Sequence, residues 1–168
     1  MKLIIVRHAA AVDSSSAICD EERYLTPEGR VLFRKTSRTM LKNGVEPSVI
    51  LTSPLLRAVQ TADILAEALS FCGPLAVRKE LSPGFGMKKL ERVLGEYQSV
   101  DELVLVGHEP DLSAVIASLL SLPGGFNFKK GAAVNLKINP ADFSTPAQFK
   151  WLAVGKKLLT ARDEAFES

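Results

Sequence analysis

Residues 1–16 read MKLIIVRHAAAVDSSS. Four apolar residues, 3–6, run straight into Arg7 and His8. A short, continuous apolar run fits a strand buried on both faces, as in a parallel sheet covered by helices. Such a strand would ordinarily end in a turn former. This one ends in a guanidinium and an imidazole, so its carboxyl end is the first place to look for chemistry.

Working outward, the same pattern returns twice. Residues 48–52 (SVILT) read as a second strand, followed by SPLLRAVQTADILAEAL at 53–69. Ser53 is expected to cap that helix, with Pro54 at its first position and Arg57 in its first turn. Residues 102–106 read as another strand, followed by Gly107-His108-Glu109 and a helix from about Pro110 to Leu120. Between them, 75–78 reads as a weaker strand and 87–97 as a helix. Before them, LTPEGR at 25–30 opens a helix expected to run from 27 to about 42, with Thr26 as its cap. Glu28 suits the first turn, where the helix dipole favours negative charge. Gly29 counts against this start, because glycine weakens a helix. Asn43-Gly44 stops it. At the far end, 132–138 alternates and 149–154 is short, with Pro140 and Pro146 between, so a C-terminal strand pair is expected. After Leu159 the chain turns polar and is expected to fray.

Strand–helix alternation with short connections implies an α/β fold: three layers, α/β/α, around a mostly parallel central sheet. No repeat, linker or low-complexity block interrupts it, so all of residues 1–168 form one domain. The 168 residues, 46% hydrophobic and 24% charged, have the composition of a soluble globular protein. A net charge of +2 without a basic run argues against nucleic acid as a partner. The N-terminal apolar run is too short for a signal peptide, and no stretch approaches the roughly 20 apolar residues of a membrane span. A cytoplasmic location is expected, with Cys19 and Cys72 as free thiols. With only His8 and His108 as imidazoles and no paired cysteines, no metal site or other cofactor is expected.

In open α/β sheets, ligands bind beyond the carboxyl ends of the strands. If these strands are parallel, Arg7, His8, Arg57 and His108 share one edge. Two arginine forks and two imidazoles suit a dianionic phosphoryl group. A neutral imidazole with one ring nitrogen held by a hydrogen bond could attack phosphorus with the other. Each residue alone has an ordinary structural reading: His108 as a cap or core histidine, Arg57 as a solvated helix residue. Their shared placement carries the argument. Glu109 reads as a carboxylate favoured at a helix start, and Lys129-Lys130 as a solvated turn that could steer an acidic partner. Cys72 to Arg78 matches the C-x5-R spacing of cysteine phosphatases. Pro74 removes a backbone donor from that loop, and 75–77 reads as strand, so the match is rejected.

Strand-Arg-His at the N-terminus, SPLLRAVQTA and VGHEPDL together resemble the histidine phosphatase superfamily, and the short chain with its ELSP segment resembles the small SixA-type phosphohistidine phosphatase branch. The resemblance spans residues 1 to 138. It implies a phosphoglycerate-mutase-like fold without a cap domain, and a metal-independent phosphatase with His8 as nucleophile. It further implies Arg7, Arg57 and His108 as the phosphate pocket, and Glu80 near a position where many members carry a general acid. Its implied substrate is phosphohistidine on a signalling protein, such as a histidine phosphotransfer domain. A small phosphomonoester, or a phosphate-recognition role without turnover, are the alternatives. Members usually carry Gly after the nucleophile; Ala9 here implies that the position needs no positive φ.

Overall fold

The computed structural model describes residues 1–166. The apolar run becomes β1 (Lys2–Arg7), with residues 3–6 completely buried. Its side chains alternate between two cores. Leu3 and Ile5 face one, Ile4 and Val6 the other. A strand must be apolar on both faces to be buried on both, and each fully buried Leu or Ile contributes about 1.5–3 kcal/mol.

Around β1, one seven-stranded sheet forms in the order β3-β2-β4-β1-β5-β6-β7. The strands are β2 (Val49–Thr52), β3 (Leu75–Val77), β4 (Glu102–Gly107), β5 (Ala133–Lys137), β6 (Gln148–Val154) and β7 (Lys157–Leu159). β1, β4, β2 and β3 run parallel; β5, β6 and β7 continue the sheet antiparallel. Helices α1 (Pro27–Lys42) and α2 (Leu56–Leu69) supply Phe33, Met40, Ala58 and Leu65 to one core. Helices α3 (Met87–Glu96) and α4 (Asp111–Leu120) supply Leu90, Val93, Leu112 and Ile116 to the other. This is the three-layer α/β/α arrangement expected from the sequence. No helix among the described residues is long and apolar enough to cross a membrane.

Three details depart from the sequence reading. First, α2 begins at Leu56 with Leu55 at the cap, so Ser53 is not the cap residue. Its hydroxyl accepts from the Leu55 N–H at 3.3 Å and also meets a histidine. Second, the C-terminal strand pair is extended by β7, reached through Gly155 at φ 58°. Three residues are too few to show an alternating pattern in sequence. Third, the polar end does not simply fray. A short helix, α5 (Arg162–Phe166), places Phe166 edge-on to Phe126 and Phe149, with ring centroids 4.7 and 5.2 Å away.

Gly29 proves to be a requirement of the fold. Thr26 caps α1 as expected, its hydroxyl accepting from the Gly29 N–H at 3.0 Å. The carbonyl of Ala10, which accepts from the Thr26 N–H at 2.9 Å, lies where a Gly29 Cβ would stand. The glycine thus lets the segment after His8 lie directly on the first turn of α1. Gly29→Ala raises intrinsic helix propensity by about 1 kcal/mol, yet the clash is expected to outweigh that gain. A net destabilisation of about 1–3 kcal/mol, the usual range for overpacking, is expected from urea unfolding. An unchanged or raised midpoint would show that the segment after His8 yields freely.

Candidate active site

Parallel pairing carries the site residues to one edge. Arg7 pairs with Gly107 across β1 and β4, and Thr52 pairs with Val106 across β2 and β4. The ladder continues one residue further. The His8 N–H donates to the Gly107 carbonyl at 3.1 Å, and the Ser53 N–H donates to the Val106 carbonyl at 3.0 Å. His8, Ser53 and His108 therefore follow directly on three adjacent strand ends, and Arg57 rises from the first turn of α2.

The two imidazoles are neighbours, with ring centroids 5.1 Å apart and planes inclined by 53°. Both are buried. His8 Nδ1 lies 2.7 Å from the Ala9 carbonyl oxygen. A carbonyl can only accept, so Nδ1 carries the proton and Nε2 keeps a lone pair. Burial pushes the His8 pKa down to about 3 against the opposing Ala9 hydrogen bond, and the nearby His108, Arg57 and Arg7 lower it further. His108 is lowered to about 4, first by burial and then by Arg57. Both rings are neutral at physiological pH.

The guanidinium groups are held from behind. Arg7 Nη1 donates to the Phe128 carbonyl at 2.6 Å. Arg57 Nη1 donates to the Asp20 carbonyl at 2.6 Å, and Nη2 pairs with the Asp20 carboxylate at 3.1 Å. Arg7 Nε, Arg57 Nε and His108 Nδ1 are buried without a partner among the described residues. Buried polar nitrogens are nearly always satisfied, so three orphans at one edge mark it as a place for a ligand. A phosphoryl group offers three oxygens.

The segment after His8 is fixed on both sides. The Ala9 N–H donates to Thr61 Oγ1 at 3.1 Å, and that hydroxyl donates to the Arg57 carbonyl at 2.6 Å. Ala9 is buried and its φ is not positive, consistent with alanine at this position. The Gly131 N–H closes the other side onto the carbonyls of Arg7 and His8 at 3.2 and 3.1 Å. Lys129 and Lys130 are exposed, directly after the Phe128 that holds Arg7.

Glu80 is set differently from a general acid. Both its oxygens accept from Arg78, at 3.0 and 3.2 Å, and that hydrogen bonding holds the carboxyl down to about 2. An ionised carboxylate in such a pair has no proton to give. Arg78 also binds Glu96, at 2.7 and 2.9 Å, which leaves nothing of the C-x5-R reading. Cys72 lies exposed before β3. Glu109 Oε1 accepts from the Ser113 N–H at 2.9 Å and thereby satisfies an N-terminal donor of α4.

Asp20, Ser53 and Thr61 are the site residues that sequence reading missed. Asp20 lies in a polar loop with no periodicity, and nothing local marks it as the partner of Arg57. Ser53 and Thr61 were visible only as parts of the SPLLRAVQTA segment. A separate cavity of about 870 Å³ opens at the amino ends of the strands, lined by Lys2, Glu102, Asn135 and Trp151 among others. It lies at the opposite end of β1 and β4 from the histidines.

The neutral rings carry a stability consequence. An unfolded histidine titrates near 6.5. Below that pH the unfolded chain binds protons that the folded chain refuses, so stability falls as the pH drops towards 4. Each ring adds up to about 1.4 kcal/mol per pH unit to the slope. Urea unfolding between pH 7 and 4.5 should show the fall, and His108→Gln should make it shallower. An unchanged slope would mean that His108 titrates normally in the folded protein.

Residues 3–83 match the family described as Histidine phosphatase superfamily (branch 1). An uncharacterised protein of Picosynechococcus is 33% identical over 145 residues, covering 84% of this chain and 87% of its own. The phosphohistidine phosphatase SixA of Escherichia coli is 29% identical over 158 residues, covering 90% and 92%. The structure of the protein histidine phosphatase SixA complexed with tungstate superposes with a TM-score of 0.81 at 24% identity, covering 92% of this chain and 97% of that one. The alpha-ribazole phosphatase of Shigella flexneri superposes with a TM-score of 0.66 at 20% identity, covering 96% and 97%. With its Arg-His strand end, its second arginine and its second histidine gathered at one sheet edge, the chain belongs to the histidine phosphatase superfamily.

Proposed function

We propose that this protein is a phosphohistidine phosphatase that works through a phosphorylated intermediate on His8. One observation carries the reading: His8 holds a free lone pair on Nε2 beside His108, while the Nε donors of Arg7 and Arg57 have no partner among the described residues and suit phosphoryl oxygens.

In the first step the Nε2 lone pair of His8 attacks phosphorus. The bond from phosphorus to the leaving nitrogen or oxygen breaks, and the leaving group takes a proton from solvent. Arg7 and Arg57 stabilise charge on the equatorial oxygens, and burial strengthens that effect. In the second step water attacks phospho-His8 and gives up a proton to solvent. Inorganic phosphate departs and the lone pair returns to Nε2. The arginines supply the positive charge that both steps need.

The leaving group favours phosphohistidine. An alkoxide needs a strong, well-placed acid. Glu80 is ionised and tied to Arg78, and Glu109 holds the Ser113 N–H through Oε1. A departing imidazole is protonated near neutral pH and needs little help. The substrate we infer is a phosphohistidine on a signalling protein, such as a histidine phosphotransfer domain, in the cytoplasm. Lys129 and Lys130 beside the Arg7 support are placed to attract an acidic partner surface. The likeness to SixA supports the same substrate class.

The test is a quenched reaction with a labelled, histidine-phosphorylated phosphotransfer domain, run beside para-nitrophenyl phosphate. An acid-labile, base-stable label on His8 is expected, with faster turnover of the phosphoprotein. His8→Ala should abolish both label and release, and Arg57→Ala should slow release by about 10²–10³-fold, the usual loss for one transition-state donor. Faster turnover of the monoester would overturn the substrate assignment. Tight binding with neither label nor release would make the protein a recognition module.

A further inference from the structure

We propose that Ser53 is a positioning residue that fixes the proton of His108 on Nδ1, so that His108 offers a neutral N–H donor to the phosphoryl group. This rests on the reading that a phosphoryl group occupies the edge shared by the two histidines.

The argument is a count of protons and lone pairs. Ser53 is completely buried. Its Oγ lies 2.7 Å from His108 Nε2 and accepts from the Leu55 N–H at 3.3 Å. A serine hydroxyl has one proton to donate and two lone pairs. The Leu55 N–H takes one lone pair. Among the described residues, His108 Nε2 is the acceptor that remains for the hydroxyl proton. If Nε2 carried the ring proton, the hydroxyl would accept twice and its own proton would be buried unpaired. Structures avoid that state, because a buried unpaired donor forfeits its hydration with nothing in return.

With the Ser53 proton directed to Nε2, the ring proton of neutral His108 must sit on Nδ1. Among the described residues, that atom is one of three buried nitrogens without a partner. As an N–H it attracts a phosphoryl oxygen; as a bare lone pair it would repel one. Burial and the nearby Arg57 keep the ring neutral, so the position of this single proton decides the sign of the interaction. The two histidines then carry the same tautomer and use it differently. His8 turns Nδ1–H to the Ala9 carbonyl and frees Nε2 as nucleophile. His108 turns Nε2 to Ser53 and frees Nδ1–H as donor.

Nitrogen-15 spectra of the imidazole rings, recorded on the full chain at pH 7, test this directly. The chain has only two histidines, and His8→Gln assigns them. Both rings are expected in the Nδ1–H tautomer. In Ser53→Ala, His108 should shift towards Nε2–H while His8 stays unchanged. Phosphoryl transfer should then slow by about tenfold or more in kcat, with KM within about twofold, as for loss of a donor used in the transition state. Ser53→Thr, which keeps the hydroxyl, should retain the wild-type tautomer, and backbone amide spectra report whether each variant is folded. His108 in the Nε2–H form in the wild type, or a tautomer unmoved in folded Ser53→Ala, would overturn the proposal. The Nδ1–H tautomer in a wild-type protein that never labels His8 would instead overturn the phosphatase reading and leave the tautomer assignment standing.

Discussion

The in-register parallel pairing of β1 with β4 is the constraint on which the rest of the site depends. It sets Arg7 opposite Gly107 and lets the ladder run on to the His8 N–H. A slip of one residue would turn each side chain of β1 to the opposite face. The slip is resisted because β1 is buried on both faces, with larger side chains fitted into separate cores. The same apolar packing that stabilises the sheet therefore holds two imidazoles 5.1 Å apart.

That placement is costly in isolation. Burying Arg57 and two histidines, and half-burying Arg7, strips them of water, and a buried charge needs pairing. The protein meets part of the cost with backbone carbonyls and one carboxylate. Phe128 holds Arg7, while Asp20 holds Arg57 with both its carbonyl and its side chain. The histidines avoid the cost by staying neutral. What is left unpaired among the described residues is a set of buried nitrogens. A site made this way is preorganised: its donors are aimed before any ligand arrives, so little reorganisation is needed during reaction.

Much of the fold was legible in the sequence because its signals are local. A continuous apolar run, Thr26-Pro27 before an amphipathic stretch, and Asn43-Gly44 after it each act within a few residues. The three motifs were legible for a related reason, since a polar group directly after a buried strand is conspicuous. The missed features depend on long-range partners. Gly29 reads locally as a flaw in a helix, but the carbonyl of Ala10, remote in sequence, lies against it. Ser53 looked like a cap until His108 came within 2.7 Å. Glu80 reads locally as a candidate acid, but Arg78 takes both its oxygens.

By itself the sequence determined which residues could do chemistry and which strand ends would present them, because residue type and hydrophobic period are properties of short segments. Only the tertiary structure decided their states: which nitrogen of each ring is free, which carboxylate keeps its charge, and which arginine atoms lack a partner. Those states follow from burial and from contacts across 50 or more residues of chain, such as His108 with Ser53 and Ala9 with Thr61. No local pattern encodes them, because the energy of a buried proton depends on what surrounds it in space.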